Sequence, residues 1–157
     1  MNKKDIKLCN IIFPIYMLWL IPPVIFISAV LNFIIDTIVV LITKKILKIE
    51  DIFKKYKKVI LKVWIFGFLS DFIGALFIFI MSILFEDLSM SIYNPFGDIY
   101  AFITTIIAII IAGVLIFIFN KKISFKNIDI TEKQKFILAL VMSILTAPYL
   151  FLLPAIW

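Results

Sequence analysis

The sequence contains no histidine and no arginine, and it has a single cysteine, Cys9, among 157 residues. Without histidine the chain lacks an imidazole that could act as a general base, metal ligand or proton relay near neutral pH. Without arginine it lacks the planar guanidinium group that binds phosphate or carboxylate in bidentate fashion. One thiol forms neither an intramolecular disulfide nor a zinc site. We therefore expect no metal and no cofactor.

Charged residues are also scarce, whereas apolar residues are abundant. Only 17 % of the residues are charged and 64 % are hydrophobic, with a mean hydropathy of +1.18. Soluble proteins contain roughly 45–50 % apolar residues. The composition excludes a soluble enzyme and a disordered tail, and it predicts that residues 1–157 form a single integral membrane domain.

The 16 lysines are concentrated in three segments, 1–10, 44–62 and 120–135, whereas segment 86–98 holds three acidic residues and no lysine. A soluble basic protein would favour binding to nucleic acid. Here the lysines flank apolar runs, so we expect no nucleic-acid partner and assign the lysine-rich segments to the cytoplasmic side. This distribution predicts a cytoplasmic N-terminus and an external C-terminus, with the bacterial plasma membrane as the expected location.

Four long apolar runs are present, at 11–43, 59–85, 99–119 and 136–157. A transmembrane helix needs about 20 residues, so each of the last three runs predicts one transmembrane helix. The first run is too long for one upright helix, and Pro22-Pro23 interrupts it. Because both of its ends are lysine-rich, we interpret it as a broken hairpin whose first arm crosses or re-enters the membrane. One long tilted helix with an external N-terminus is the alternative.

Segment 50–62 has the pattern of an amphipathic helix, with apolar residues on one face and four lysines on the other: Lys54, Lys55, Lys57 and Lys58. Such a helix lies on the membrane surface, where lysines contact anionic lipid headgroups. The predicted fold is thus an all-α polytopic membrane helix bundle. It comprises the broken N-terminal hairpin, three transmembrane helices and one cytoplasmic amphipathic interfacial helix.

Small residues recur at every fourth position in three of the predicted transmembrane helices. Such stripes allow close approach of neighbouring helices in lipid, where burial of apolar surface gives little drive for association. We therefore expect these faces to meet inside the bundle. The stripes are Gly67, Asp71 and Ala75; Thr104, Ala108 and Ala112; and Ala139, Ser143 and Ala147.

Two acidic residues, Asp36 and Asp71, lie inside apolar runs. Asp36 precedes Lys44 by eight residues and Asp71 follows Lys62 by nine, so both lie roughly 12–14 Å from the same membrane boundary. Asn32 and Ser70 lie on the same faces or beside them. Since acidic residues within a bilayer usually face the bundle interior, we predict that the two carboxyl groups meet there, with Asn32 and Ser70 as hydrogen-bonding neighbours.

Three functions are compatible with such a pair. The carboxyl groups could hold together a non-enzymatic subunit of a membrane complex, or they could carry a proton or cation in a transporter or channel. They could also activate water as in an aspartyl peptidase. The sequences Ile35-Asp36-Thr37 and Ser70-Asp71-Phe72 lack the G-x-G-D motif of intramembrane aspartyl proteases. We therefore expect a non-enzymatic subunit that forms a homo-oligomer or joins a larger complex.

Overall fold

A computed structural model describes the backbone of residues 22–49, 52–85 and 94–154, and the side chains of residues 26–49, 59–85 and 94–154. These residues form four α-helices. They are α1 (Pro22–Ile46), α2 (Ile52–Leu84), α3 (Ile99–Phe119) and α4 (Glu132–Leu145). A π-helical turn, Asn120–Ser124, continues α3, and a 3₁₀ turn, Tyr149–Leu152, follows α4.

The protein is an integral membrane helix bundle, as the sequence predicts. Within the described residues, four helical stretches are long and apolar enough to cross a membrane, namely Phe26–Ile46, Val59–Leu84, Ile99–Ser124 and Glu132–Leu152. The observed helix Ile99–Phe119 has the predicted bounds.

Helix α1 begins at the proline pair that interrupts the first apolar run. Proline is well suited to a first helical turn, because the amide hydrogen that it lacks has no intrahelical partner there. At the other end Lys44 and Lys45 occupy the last turn, where positive charge complements the helix dipole. The predicted first arm of the hairpin, residues 11–21, lies outside the described residues.

Helix α2 differs from the prediction in one boundary. The surface helix expected at 50–62 is not a separate element, because α2 runs without a break from Ile52 to Leu84. This stretch contains no proline, and its first glycine is Gly67. Nothing in the backbone therefore interrupts the helix near residue 59. A helix of 33 residues is about 50 Å long, longer than the hydrocarbon core. The side chains of Lys54, Lys55, Lys57 and Lys58 lie outside the described residues.

The small-residue faces of α2 and α3 pack together as predicted. Asp71 and Ala75 in α2 are buried, as are Ala108 and Ala112 in α3. At Gly74 a Cβ atom would lie 3.2 Å from the Ala108 carbonyl oxygen and 3.2 Å from the Ala112 Cβ atom. The two backbones are therefore too close for a side chain at this position.

Helix α4 is anchored at both ends. A capping box is present at its start, since Thr131 and Gln134 each bond the other's backbone amide, and the Gln134 side chain also donates to the Leu47 carbonyl oxygen at 3.3 Å. Beyond Leu145 the chain turns at Pro148. The buried Phe151 ring then reaches Gly74 of α2, which closes this end of the bundle.

Candidate functional site

The interface between α1 and α2 contains the two acidic residues that the sequence singles out. Asp36 is 3 % exposed and Asp71 is 4 % exposed. The two groups interact electrostatically, so they belong to one buried cluster. Each projects from a helix that also presents large apolar side chains on its exposed face. The polar stripe faces inward because an ionised or hydrogen-bonding group is costly against lipid.

The hydrogen-bonding partner of Asp71 comes from α1. The Asn32 side-chain amide donates to Asp71 Oδ2 at 3.2 Å. A bond between side chains that are 39 residues apart in the sequence joins the two helices directly. Asn32 is thus a direct neighbour of Asp71.

Asp36 is held by a different set of neighbours. Its Oδ2 atom lies against Gly67, where a Cβ atom would approach to 3.2 Å. The Thr146 side chain, just beyond α4, is hydrogen-bonded to the Asp36 carboxyl group. The Thr146 hydroxyl donates to the Met142 carbonyl oxygen at 2.8 Å, so the contact with Asp36 is made beside the last turn of α4.

Ser70 has a different partner from the one the sequence suggests. It is fully buried, but its hydroxyl donates to the Phe66 carbonyl oxygen of its own helix at 2.7 Å. Serine commonly bonds one turn back in this way. The structure therefore brings Asp36, Asp71 and Asn32 together and gives the Ser70 hydroxyl a partner within α2.

The cluster also contains polar atoms without a hydrogen-bonding partner among the described residues. Asp71 Oδ1 is such an atom, and Thr37 Oγ1, on the residue after Asp36, is another. An unpartnered buried polar atom costs about 1–3 kcal/mol, so such atoms are uncommon unless they have a function. The cluster thus places the Asp71 carboxyl group against the Asn32 amide and the Asp36 carboxyl group against the Thr146 hydroxyl.

Sequence reasoning did not identify a second buried polar group, in the π-helical turn after α3. Asn120 is fully buried and Ser124 is 3 % exposed, and neither side chain has a hydrogen-bonding partner among the described residues. π-Helical turns are often found at functional positions. Both residues lie within two positions of a lysine in the sequence, which favours an exposed loop, and no signal in it marks them as buried.

Thr146 was also missed, because it lies between Ser143 and Ala147 of the last predicted small-residue stripe and belongs to no polar stripe of its own. Gly67 was identified only as a small packing residue. Its place beneath the Asp36 carboxyl group depends on how α1 crosses α2.

No group of three histidine, cysteine, aspartate or glutamate side chains suited to a metal ion occurs among residues 22–49, 52–85 and 94–154. No family model, curated protein or solved structure matches this chain. The functional interpretation therefore depends on the geometry of the buried acidic cluster and of the surfaces around it.

Proposed function

We propose that this protein is a non-enzymatic membrane subunit that works in a homo-oligomer or a larger membrane complex. The observation that carries the proposal is that the two acidic side chains contact neighbouring helices inside the bundle. Asp71 bonds Asn32 of the neighbouring helix, and Asp36 is packed against Gly67 and bonded to Thr146. The cluster therefore joins α1, α2 and the end of α4.

The surface of α1 supports the association with another chain. Only 17 % of its most apolar 18-residue stretch is buried inside the bundle, against 39 % for α2. Most of its large apolar side chains are exposed, among them Phe26, Ile27, Val30 and Ile38. The helix that carries Asp36 is thus the least covered of the four spans among the described residues, and we assign its exposed face to the subunit contact.

The test compares tryptophan substitutions on two exposed faces of the full-length protein. Val30→Trp on α1 and Ile103→Trp on α3 replace side chains that are 59 % and 48 % exposed. We expect the purified protein in mild detergent to have a mass larger than one chain. Val30→Trp should reduce that mass and the Ile103→Trp control should not. A wild-type protein that stays monomeric in detergent and in nanodiscs would overturn the proposal.

A proton- or cation-linked transporter is the second candidate, and one observation favours it. Asp71 Oδ1 is buried with no hydrogen-bonding partner among the described residues, beside a second carboxyl group with which it interacts. Two buried carboxyl groups that repel one another can bind and release a proton. Proteoliposomes containing Asp71→Asn should then lose proton or cation flux while the fold is kept. Ser70→Ala, whose hydroxyl bonds its own helix, is the control.

We also propose that the lysine-rich start of α2 contacts the anionic inner leaflet. Each basic residue near such a surface contributes about 1 kcal/mol to binding. The bundle would then be oriented with its N-terminus in the cytoplasm and its C-terminus outside. The topology experiment described in the Discussion tests this orientation.

A further inference from the structure

A groove of about 500 Å³ lies between α3 and α4, and its lining does not include the acidic residues Asp36 and Asp71. The small residues Gly113, Ser143 and Ala147 line it, together with large apolar side chains. A Cβ atom at Gly113 would lie 3.5 Å from the Ser143 carbonyl oxygen, an ordinary contact distance. Small residues line the groove where the two helices approach each other, and space therefore remains between the helices.

The length of the groove corresponds to one leaflet of a bilayer. Along α3 it extends from Phe117 to Ile109, and along α4 and the residues after it from Phe136 to Ala147. At 1.5 Å per residue these stretches are about 12 and 16 Å long. Half of a hydrocarbon core of about 30 Å is about 15 Å, so the groove has the depth of a single acyl chain.

A positive charge stands at one end of the groove. The Phe117 and Phe136 rings, which line that end, contact each other edge to face with centroids 5.4 Å apart. The Lys121 ammonium lies 5.7 Å from the first ring centroid and 5.1 Å from the second. Both distances are typical of cation–π contacts, so the rings hold the ammonium at the mouth of the groove.

The acidic residue Glu132, one turn before Phe136, is paired with another lysine. Its carboxylate forms an ion pair of 2.9 Å with Lys135. Lys121 precedes Lys122 and the lysine-rich connection to α4, and it therefore lies at the level where phospholipid headgroups meet the hydrocarbon. An ammonium at the headgroup level above an apolar groove of one-leaflet depth complements a negatively charged amphiphile.

We propose that this groove is a binding site for one anionic phospholipid from the leaflet bordering the 120–135 segment. One acyl chain lies between α3 and α4 over Gly113, and the headgroup phosphate is bound by Lys121. The two phenylalanine rings fix the Lys121 side chain in the conformation that contacts the phosphate, so the side chain loses little conformational freedom on binding. The site is distinct from the acidic cluster and does not depend on the proposed subunit role.

The headgroup contact is tested with a pair of adjacent lysines in the full-length protein. Lys121→Gln removes the charge at the groove mouth, and Lys122→Gln removes an equal charge from an exposed neighbour. Native mass spectrometry measures the retention of added phosphatidylglycerol and phosphatidylcholine. We expect Lys121→Gln to reduce the preference for phosphatidylglycerol about fivefold, and Lys122→Gln to leave it unchanged. Equal effects of the two substitutions would overturn the proposal, because binding would then depend on general surface charge.

The acyl-chain contact is tested with a pair of tryptophan substitutions on α3. Val114→Trp fills the groove, whereas Ile107→Trp places the same ring on an exposed position outside its lining. Val114→Trp should lower retention of both lipids and Ile107→Trp should not. If Val114→Trp does not fold, Leu140→Trp fills the groove from α4. A filled groove that leaves lipid retention unchanged but dissociates an oligomer would show a protein contact there and overturn the proposal.

Discussion

Helix α2 is bound on two sides by interfaces of opposite character. On the α3 side, Gly74 meets Ala108 and Ala112 at distances that leave no room for a Cβ atom. On the α1 side, contact depends on polar groups, with Asn32 bonded to Asp71. The Trp64 indole also donates to the Ala29 carbonyl oxygen, at 2.8 Å. The α2–α3 interface is stabilised by close backbone packing, whereas the α1–α2 interface adds interhelical hydrogen bonds to its apolar contacts.

The difference shows two ways to join helices in lipid, where apolar burial gives little drive for association. Close packing gains many small dispersion contacts, and it requires glycine or alanine at each point of closest approach. Hydrogen bonding tolerates a looser fit between the helices. It still holds them together, because separating them would leave an unpaired polar group in hydrocarbon, which is costly. The α2–α3 pair should therefore be sensitive to side-chain volume and the α1–α2 pair to side-chain chemistry.

The largest effect is expected for volume at the α2–α3 interface. Gly74→Leu should destabilise the bundle by about 3 kcal/mol or more, because one of the crowded atoms is a backbone carbonyl that cannot rotate away. Gly113→Ala is the matched control. Its nearest neighbour lies at an ordinary 3.5 Å, and alanine favours the helix by about 0.5–1 kcal/mol. Denaturant titration of the purified protein measures both, and equal stability of the two variants would refute a volume-limited interface.

A smaller effect is expected for chemistry at the α1–α2 interface. Asp71→Leu and Asp36→Leu should each lower the free energy of unfolding by about 1–2 kcal/mol, because Asn32 or Thr146 loses its buried partner. Asp71→Asn and Asp36→Asn retain hydrogen-bonding atoms and should be close to wild type. The free energy of unfolding, measured in the same detergent, compares the leucine variants with the asparagine variants. Leucine variants as stable as the asparagine variants would mean that the polar cluster does not hold the helices together.

Two buried asparagines provide a sharper comparison between paired and unpaired amides. Asn32 has a partner in Asp71, whereas Asn120 has none among the described residues. Leucine has the same branched shape as asparagine, so Asn120→Leu should be neutral or stabilising by about 1 kcal/mol, and Asn32→Leu should be destabilising. Thermal unfolding of both variants measures the difference. Destabilisation by Asn120→Leu would show that the π-helical turn has a partner for this amide.

The smallest change in stability is expected for the cysteine substitutions that test the membrane topology by thiol labelling. In a Cys9→Ser background, Asn94→Cys and Asn127→Cys place thiols at exposed positions before the start and after the end of α3. Surface substitutions of this kind usually change stability by less than about 0.5 kcal/mol. The thiol at 94 should react with an impermeant reagent outside cells and the thiol at 127 should not. A thiol at position 2 should behave like that at 127 if the first apolar run is a hairpin, and like that at 94 if it is one tilted helix.

Several features of the bundle could be predicted from residue patterns because their causes are local. The bounds of α3 follow from an apolar run between Asp98, which caps the helix, and the lysines after Phe119. The Thr131–Gln134 capping box follows from four consecutive residues. The buried position of Asp71 follows from its place on a stripe of small residues. In each example the information lies within a few helical turns.

The amino-acid sequence by itself determined the membrane-embedded helical class, the sites of the spans and the inward position of both acids. These properties depend on the cost of placing polar groups in hydrocarbon, which composition and helical periodicity express directly. Only the tertiary structure decided that Asp36 lies over Gly67, that Thr146 bonds it, that Asn120 and Ser124 are buried, and that Lys121 stands at a groove. Those relations depend on the crossing of helices that are distant in sequence, where a shift of one helical turn brings different side chains together at no change in composition or periodicity.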